Sequence, residues 1–124
     1  MRKTVLIVDD APDILEIATI ALRDVGGHEV RTATNGEEAL ASVRAARPDA
    51  VLLDVSMPVL DGPGTVRALR DEGYHDLAIV FLTASARRAE HARLRDLGVQ
   101  GVLTKPFEPM TLADQLARML AWTP

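Results

Sequence analysis

The chain has 124 residues, enough for one domain with a real core, and its 48% apolar and 26% charged residues are ordinary for a soluble globular protein. Cysteine is absent, which excludes disulfides, thiolate metal sites and cysteine nucleophiles, and a formal charge of −4 with no long basic run speaks against nucleic-acid binding. No apolar run is long enough to cross a membrane and nothing resembles a signal peptide, so a cytoplasmic chain without membrane contact is expected.

The first apolar run, Val5 to Val8, is continuous rather than alternating, as in a strand covered on both faces. It ends in Asp9-Asp10. Ile14, Ile17, Ala18, Ala21, Leu22 and Val25 then recur at helical steps, predicting one apolar stripe, with Pro12 in the first turn and Gly26-Gly27 as the stop. A second run, Glu29 to Ala33, leads to Asn35, and Glu38 three residues on has the spacing of a capping box; this helix stops before Pro48. The third run, Ala50 to Val55, carries Asp54 at its end, and a short helix is expected over Gly64 to Asp71. Ala78 to Leu82 runs into Thr83 and is followed by an arginine-rich helix near Ala86 to Leu97. The last run, Gly101 to Leu103, meets Thr104-Lys105, and Leu112, Leu116, Met119 and Leu120 share one face of a final helix. Strand and helix alternate five times, so the expected class is α/β, a parallel sheet with right-handed crossovers and helices on both faces. No linker, low-complexity segment or second domain is visible, so residues 1–124 read as a single domain.

In open α/β sheets, ligands bind beyond the carboxyl ends of the strands. Four of the five runs deliver chemistry to that edge: Asp9 and Asp10, Asp54, Thr83 and Lys105. A lone carboxylate at the end of a core strand is costly, and clustered carboxylates raise one another's pKa unless a cation sits among them. An oxygen-only set without histidine or cysteine favours a hard cation, magnesium above all. Thr83 as a hydrogen-bond donor and Lys105 as a fixed positive charge suit the oxygens of a phosphoryl group that the metal also touches, which makes Asp54 a candidate nucleophile. Each residue also has an ordinary reading: helix or turn capping for the acids, a backbone-bonded hydroxyl for Thr83, a solvated loop amine for Lys105. Those readings predict no shared edge.

The segments "VLIVDD", "LLDVSMPVLDG", "FLTA" and "LTKPF", in this order, resemble the receiver domain of two-component response regulators, and the resemblance covers essentially the whole chain. It implies a flavodoxin-like (βα)5 sandwich whose five-stranded parallel sheet has the order 2-1-3-4-5. It implies that Asp54 accepts a phosphoryl group from a sensor histidine kinase or a histidine phosphotransfer protein. Mg2+ would bind Asp10 directly, Asp9 chiefly through water, Asp54, and the backbone carbonyl of Ser56. Thr83 would be the switch hydroxyl, Lys105 would bridge to the phosphoryl group, and the Lys105-Pro106 peptide would be cis. The output would be a downstream protein target or a fused output domain. The domain would signal, catalysing its own phosphorylation and dephosphorylation, rather than act as an enzyme on other molecules.

Ser56 and Ser85 occupy the two positions that shape phosphoryl lifetime in this family, and both are small and polar. One residue departs from the pattern: Val102 stands where receivers usually carry Tyr or Phe, so the common threonine–aromatic coupling is unavailable in its usual form. This keeps a phosphate-independent, receiver-shaped interaction module as an alternative. An aspartyl-phosphate phosphatase or phosphotransferase is a further one, disfavoured because Asp9 and Asp10 are adjacent and no cap domain is seen. A nucleotide-binding module is disfavoured because "DGPG" at 61 to 64 is not a phosphate-cradling loop and no GxxxxGK[ST] motif occurs. Arg87, Arg88, Arg93 and Arg95 read as a solvated face or a surface for an acidic partner or second copy, and His28, His75 and His91 as surface residues.

Overall fold

The computed structural model describes residues 2–122; the outer limits of the expected 1–124 domain lie outside the described residues. Five strands, β1 (Thr4–Val8), β2 (Glu29–Ala33), β3 (Ala50–Asp54), β4 (Ala78–Thr83) and β5 (Gly101–Thr104), form one parallel sheet in the order 2-1-3-4-5. Five α-helices connect or follow them: α1 (Pro12–Ile20), α2 (Gly36–Ala45), α3 (Gly62–Asp71), α4 (Arg88–Arg95) and α5 (Leu112–Met119). The register pairs Ile7 with Leu52 and Asp54 with Leu82, so β1, β3 and β4 end side by side. Continuous apolar runs become strands buried on both faces because helices cover each side of the sheet. On one face Leu6, Val8, Leu53 and Phe81 pack with α2 and α3 residues such as Leu40 and Val66. On the other Val5, Ile7, Leu52 and Leu82 pack with Leu22, Leu112 and Leu116.

Local rules set the helix ends. Pro12 opens α1, and Asn35 caps α2 by accepting the Glu38 N–H at 2.9 Å. Glu38 reaches back to the backbone and hydroxyl of Thr34, both at 2.8 Å, one residue before the cap. Helix α3 starts at Gly62, two residues before the expected Gly64, because Asp61 caps it through the Gly64 N–H at 2.8 Å. Helix α4 is shorter than the expected Ala86 to Leu97: the segment before Arg88 is held in turns, with the Arg87 N–H on Ser85 Oγ at 3.2 Å.

The first helix corrects the expected stripe. It passes at Ala21 into a π-helical turn, Ala21–Val25, before Gly26 and Gly27 end it. The buried face is centred on Leu15, Ala18 and Leu22, so Ile17, in the regular helix, and Val25, within the wider turn, are 40% and 44% exposed. His28 is likewise buried, not a surface residue. It sits under β1 and the C-terminal segment, its Nδ1 accepting the Lys3 N–H at 3.1 Å and its ring 5.4 Å from that of Trp122. His75 is exposed as expected, and His91 is half-buried.

Candidate functional site

Every strand end that was expected to supply a polar group supplies it to one place. Asp9 follows β1, Asp54 closes β3, Thr83 closes β4 and Lys105 follows β5, and all four line one cavity of about 420 Å3 with Asp10, Ser56, Ser85 and Glu90. Carboxylate oxygens of Asp9, Asp10 and Asp54 lie within 4.8 Å of one another, with Asp9 and Asp54 buried and Asp10 exposed.

Lys105 Nζ donates to Asp54 Oδ1 at 3.1 Å and stands 2.9 Å from Asp9 Oδ2. The second contact pairs the charges without hydrogen-bond alignment, so Asp9 Oδ2 is a buried oxygen with no hydrogen-bond donor. Asp9 Oδ1 is already committed to the Ala11 N–H at 2.9 Å. Asp9 Oδ2 has only a share of the Lys105 charge, and one amine does not balance three clustered acids, so the oxygen-only donor set fits a hard divalent metal.

Burial pushes the Asp54 carboxyl above the usual carboxylate range; the hydrogen bond from Lys105 opposes this, and the charge of Asp9 adds to it. Lys105 loses some basicity through burial, but its contacts with Asp9 and Asp54 more than restore it, holding the amine above its ordinary value. One lysine thus serves two buried acids, and the site retains an excess of negative charge.

The backbone around Asp54 is tightly built. A Cβ added at Gly62 would lie 2.5 Å from the Asp54 carbonyl oxygen and 2.9 Å from the Phe81 ring, so only glycine lets α3 start this close to the strand end. The Gly62 N–H donates to the Val55 carbonyl at 2.9 Å, fixing the turn that carries Ser56. On the opposite wall, the Ser85 N–H donates to Thr83 Oγ1 at 3.1 Å, and the Lys105 N–H donates to the Thr83 carbonyl at 2.7 Å. The Lys105-Pro106 peptide is cis.

The family model for the response regulator receiver domain matches residues 5–117. The chain belongs to that family. The receiver is 41% identical over 117 residues to the transcriptional regulatory protein PrrA of Mycobacterium tuberculosis, covering 94% of the chain and 48% of PrrA. It is 38% identical over 122 residues to the probable transcriptional regulator ycf27 of Cyanophora paradoxa, covering 98% of the chain and 50% of that protein. The chain therefore spans about half the length of the curated relatives it matches. Among solved structures, the chemotaxis response regulator CheY4 of Vibrio cholerae superposes with a TM-score of 0.88 at 38% identity, over 96% of this chain and 99% of that one. Receivers are signalling domains of two-component systems, and the flavodoxin-like sheet order 2-1-3-4-5 is the one found here. Among the described residues no helix is long and apolar enough to cross a membrane.

Val102 is buried in the core and pairs with Phe81 across β4 and β5, which is how an aliphatic residue fills that strand. The four arginines of the α4 region, Arg87, Arg88, Arg93 and Arg95, are exposed, and Arg93 pairs with Glu90. Two residues near the site were not expected there. Glu90 lines the cavity from the first turn of α4, and His91 reaches across to the Ser85 carbonyl at 2.7 Å. Neither carries a sequence signal, because both depend on how a short, strongly polar helix is set against the sheet.

Proposed function

We propose that this receiver takes a phosphoryl group on Asp54 from a phosphohistidine of a sensor histidine kinase or a histidine phosphotransfer protein. Asp54 Oδ forms the new O–P bond as the donor's P–N bond breaks; the imidazole leaves and takes up a proton. Mg2+ would be held by Asp9, Asp10, Asp54 and the Ser56 carbonyl, and when bound it neutralises charge on the transferring group. Lys105, already 3.1 Å from Asp54, moves its charge onto the phosphoryl oxygens, and Thr83 donates its hydroxyl to another of them. The observation that carries this reading is the buried Asp54 among two further acids and one lysine that cannot balance all three.

Water then attacks the same phosphorus: a new O–P bond forms as the Asp54 O–P bond breaks, and inorganic phosphate leaves with the carboxylate restored. Ser56 is exposed and Ser85 half-buried, and neither is bulky enough to shield an acyl phosphate, so the domain assists its own dephosphorylation as well as its phosphorylation. Residues 1–124 act as one receiver unit, and the altered α4–β5 side is read by a downstream protein or by an attached output domain, with no direct role in nucleic-acid binding.

Intact-mass spectrometry after incubation with acetyl phosphate tests this. A single phosphoryl adduct is expected only with Mg2+ present, and none on Asp54→Asn. Equal labelling of that variant rejects the assignment of Asp54. Lys105→Ala is expected to keep Mg2+ binding while losing most of the conformational response to phosphorylation.

A further inference from the structure

The β4–α4 loop carries a hydrogen-bonded chain that starts outside the cavity and ends at Thr83. His91 Nε2 lies 2.7 Å from the Ser85 carbonyl oxygen. A carbonyl oxygen only accepts, so Nε2 carries the proton and the neutral ring is the Nε2–H tautomer. Thr104 Oγ1, 3.4 Å away, is at most a weak second acceptor for the same N–H. One peptide plane back, on the same residue, the Ser85 N–H donates to Thr83 Oγ1 at 3.1 Å. That bond occupies a lone pair of the hydroxyl and leaves its hydrogen to be donated elsewhere. Ser85 Oγ accepts the Arg87 N–H at 3.2 Å, so both peptide planes of Ser85 and its side chain are tied down.

We propose that His91 is a positioning residue for phosphoryl transfer: by holding the Ser85 carbonyl it fixes the Ser85 N–H on Thr83, and so orients the Thr83 hydroxyl as a donor into the cavity. This rests on the phosphoacceptor reading above and extends it to a residue outside the cavity. It also gives α4 a link to Thr83, through Ser85, in a chain whose Val102 has no ring to supply one. The contact needs a donor at Nε2, not a charge, so Gln serves where Phe does not.

The test uses the full chain with wild type, His91→Gln and His91→Phe. Ring nitrogen chemical shifts of the unphosphorylated protein are expected to report His91 as the Nε2–H tautomer; an Nδ1–H tautomer overturns the proposal. His91→Phe is expected to slow labelling by acetyl phosphate about tenfold, less than the hundredfold or more that follows loss of a direct transition-state donor. Its Mg2+ affinity by calorimetry stays at the wild-type value, because no metal-holding residue is touched, whereas a collapsed site would lose both. His91→Gln restores the rate. Unchanged labelling of His91→Phe, a parallel loss of Mg2+ affinity, or failure of His91→Gln to rescue contradicts it. If wild type takes no phosphoryl group, the phosphoacceptor reading fails, and the tautomer still decides whether His91 holds the loop.

Discussion

Asp54 is held at a cost. Burial raises its pKa, so the folded state binds a proton more readily than the unfolded chain does. For a carboxylate with a raised pKa, stability falls as pH climbs from the unfolded value through the folded one, and above both the ionised group is a constant penalty. Asp54→Asn removes that penalty while keeping the shape, and Lys105 retains Asp9 as a partner. Thermal melts without metal are therefore expected to show the variant more stable than wild type, with a midpoint higher by a few degrees. Adding Mg2+ should raise the wild-type midpoint and leave the variant's nearly unchanged; a variant less stable than wild type in metal-free buffer contradicts the account. A strained residue lies in the loop between β3 and α3. Val59 has φ 72 at the centre of a tight turn closed by the Leu60 N–H on the Pro58 carbonyl at 2.8 Å, and it is 77% exposed. A β-branched residue in that region is costly, and no packing compensates for it there. Val59→Gly should stabilise the domain by about 1 kcal/mol in urea titration; destabilisation would show that the side chain has a structural role after all.

Two tethers, the half-buried Arg70 and the buried His28, hold the elements together at the end of the sheet opposite the site. Arg70, near the end of α3, donates to the carbonyls of Tyr74 at 2.6 Å, Leu77 at 2.9 Å and Gly98 at 3.0 Å, joining α3, the entry to β4 and the turn before β5. Arg70→Ala leaves those carbonyls without their donor, and a loss of about 2 kcal/mol is expected by chemical denaturation. The exposed Arg44–Glu72 pair between α2 and α3 is expected to matter far less when removed. The other tether is His28. Burial, with help from nearby positive charge, lowers its pKa, and its Nδ1 must stay unprotonated to accept the Lys3 N–H. For a base with a depressed pKa, the unfolded chain takes up the proton first. Stability is thus fully present above the unfolded value of about 6.5 and is lost as pH falls through the folded value. His28→Gln should flatten this acid-side dependence of the melting midpoint; an unaltered slope would assign it to other groups.

At the scale of the whole molecule, periodicity and strand-end chemistry made both the fold and the site legible. Continuous apolar runs such as Ala50 to Leu53, short and alternating with helical patterns, suit strands buried on both faces, and a parallel sheet gathers their carboxyl ends along one edge. Asp9, Asp54, Thr83 and Lys105 were readable for that reason. What escaped reading depends on packing rather than pattern. His28 has the composition of a surface loop and is buried only because β1, β2 and Trp122 close over it. Ile17 fits the helical stripe but is exposed because the buried face is centred on Leu15, Ala18 and Leu22. His91 looks like part of a charged surface helix until α4 is set against the loop after β4. The claim on which the rest depends is that Asp54 itself carries the phosphoryl group. Its most direct test is borohydride reduction of the phosphorylated, Mg2+-loaded domain, which converts an acyl phosphate to an alcohol, followed by peptide sequencing in the mass spectrometer. The account predicts a single reduced side chain, at position 54. Reduction at Asp9 or Asp10 instead, or a phosphoryl group that resists borohydride and maps to a serine or threonine, would contradict it.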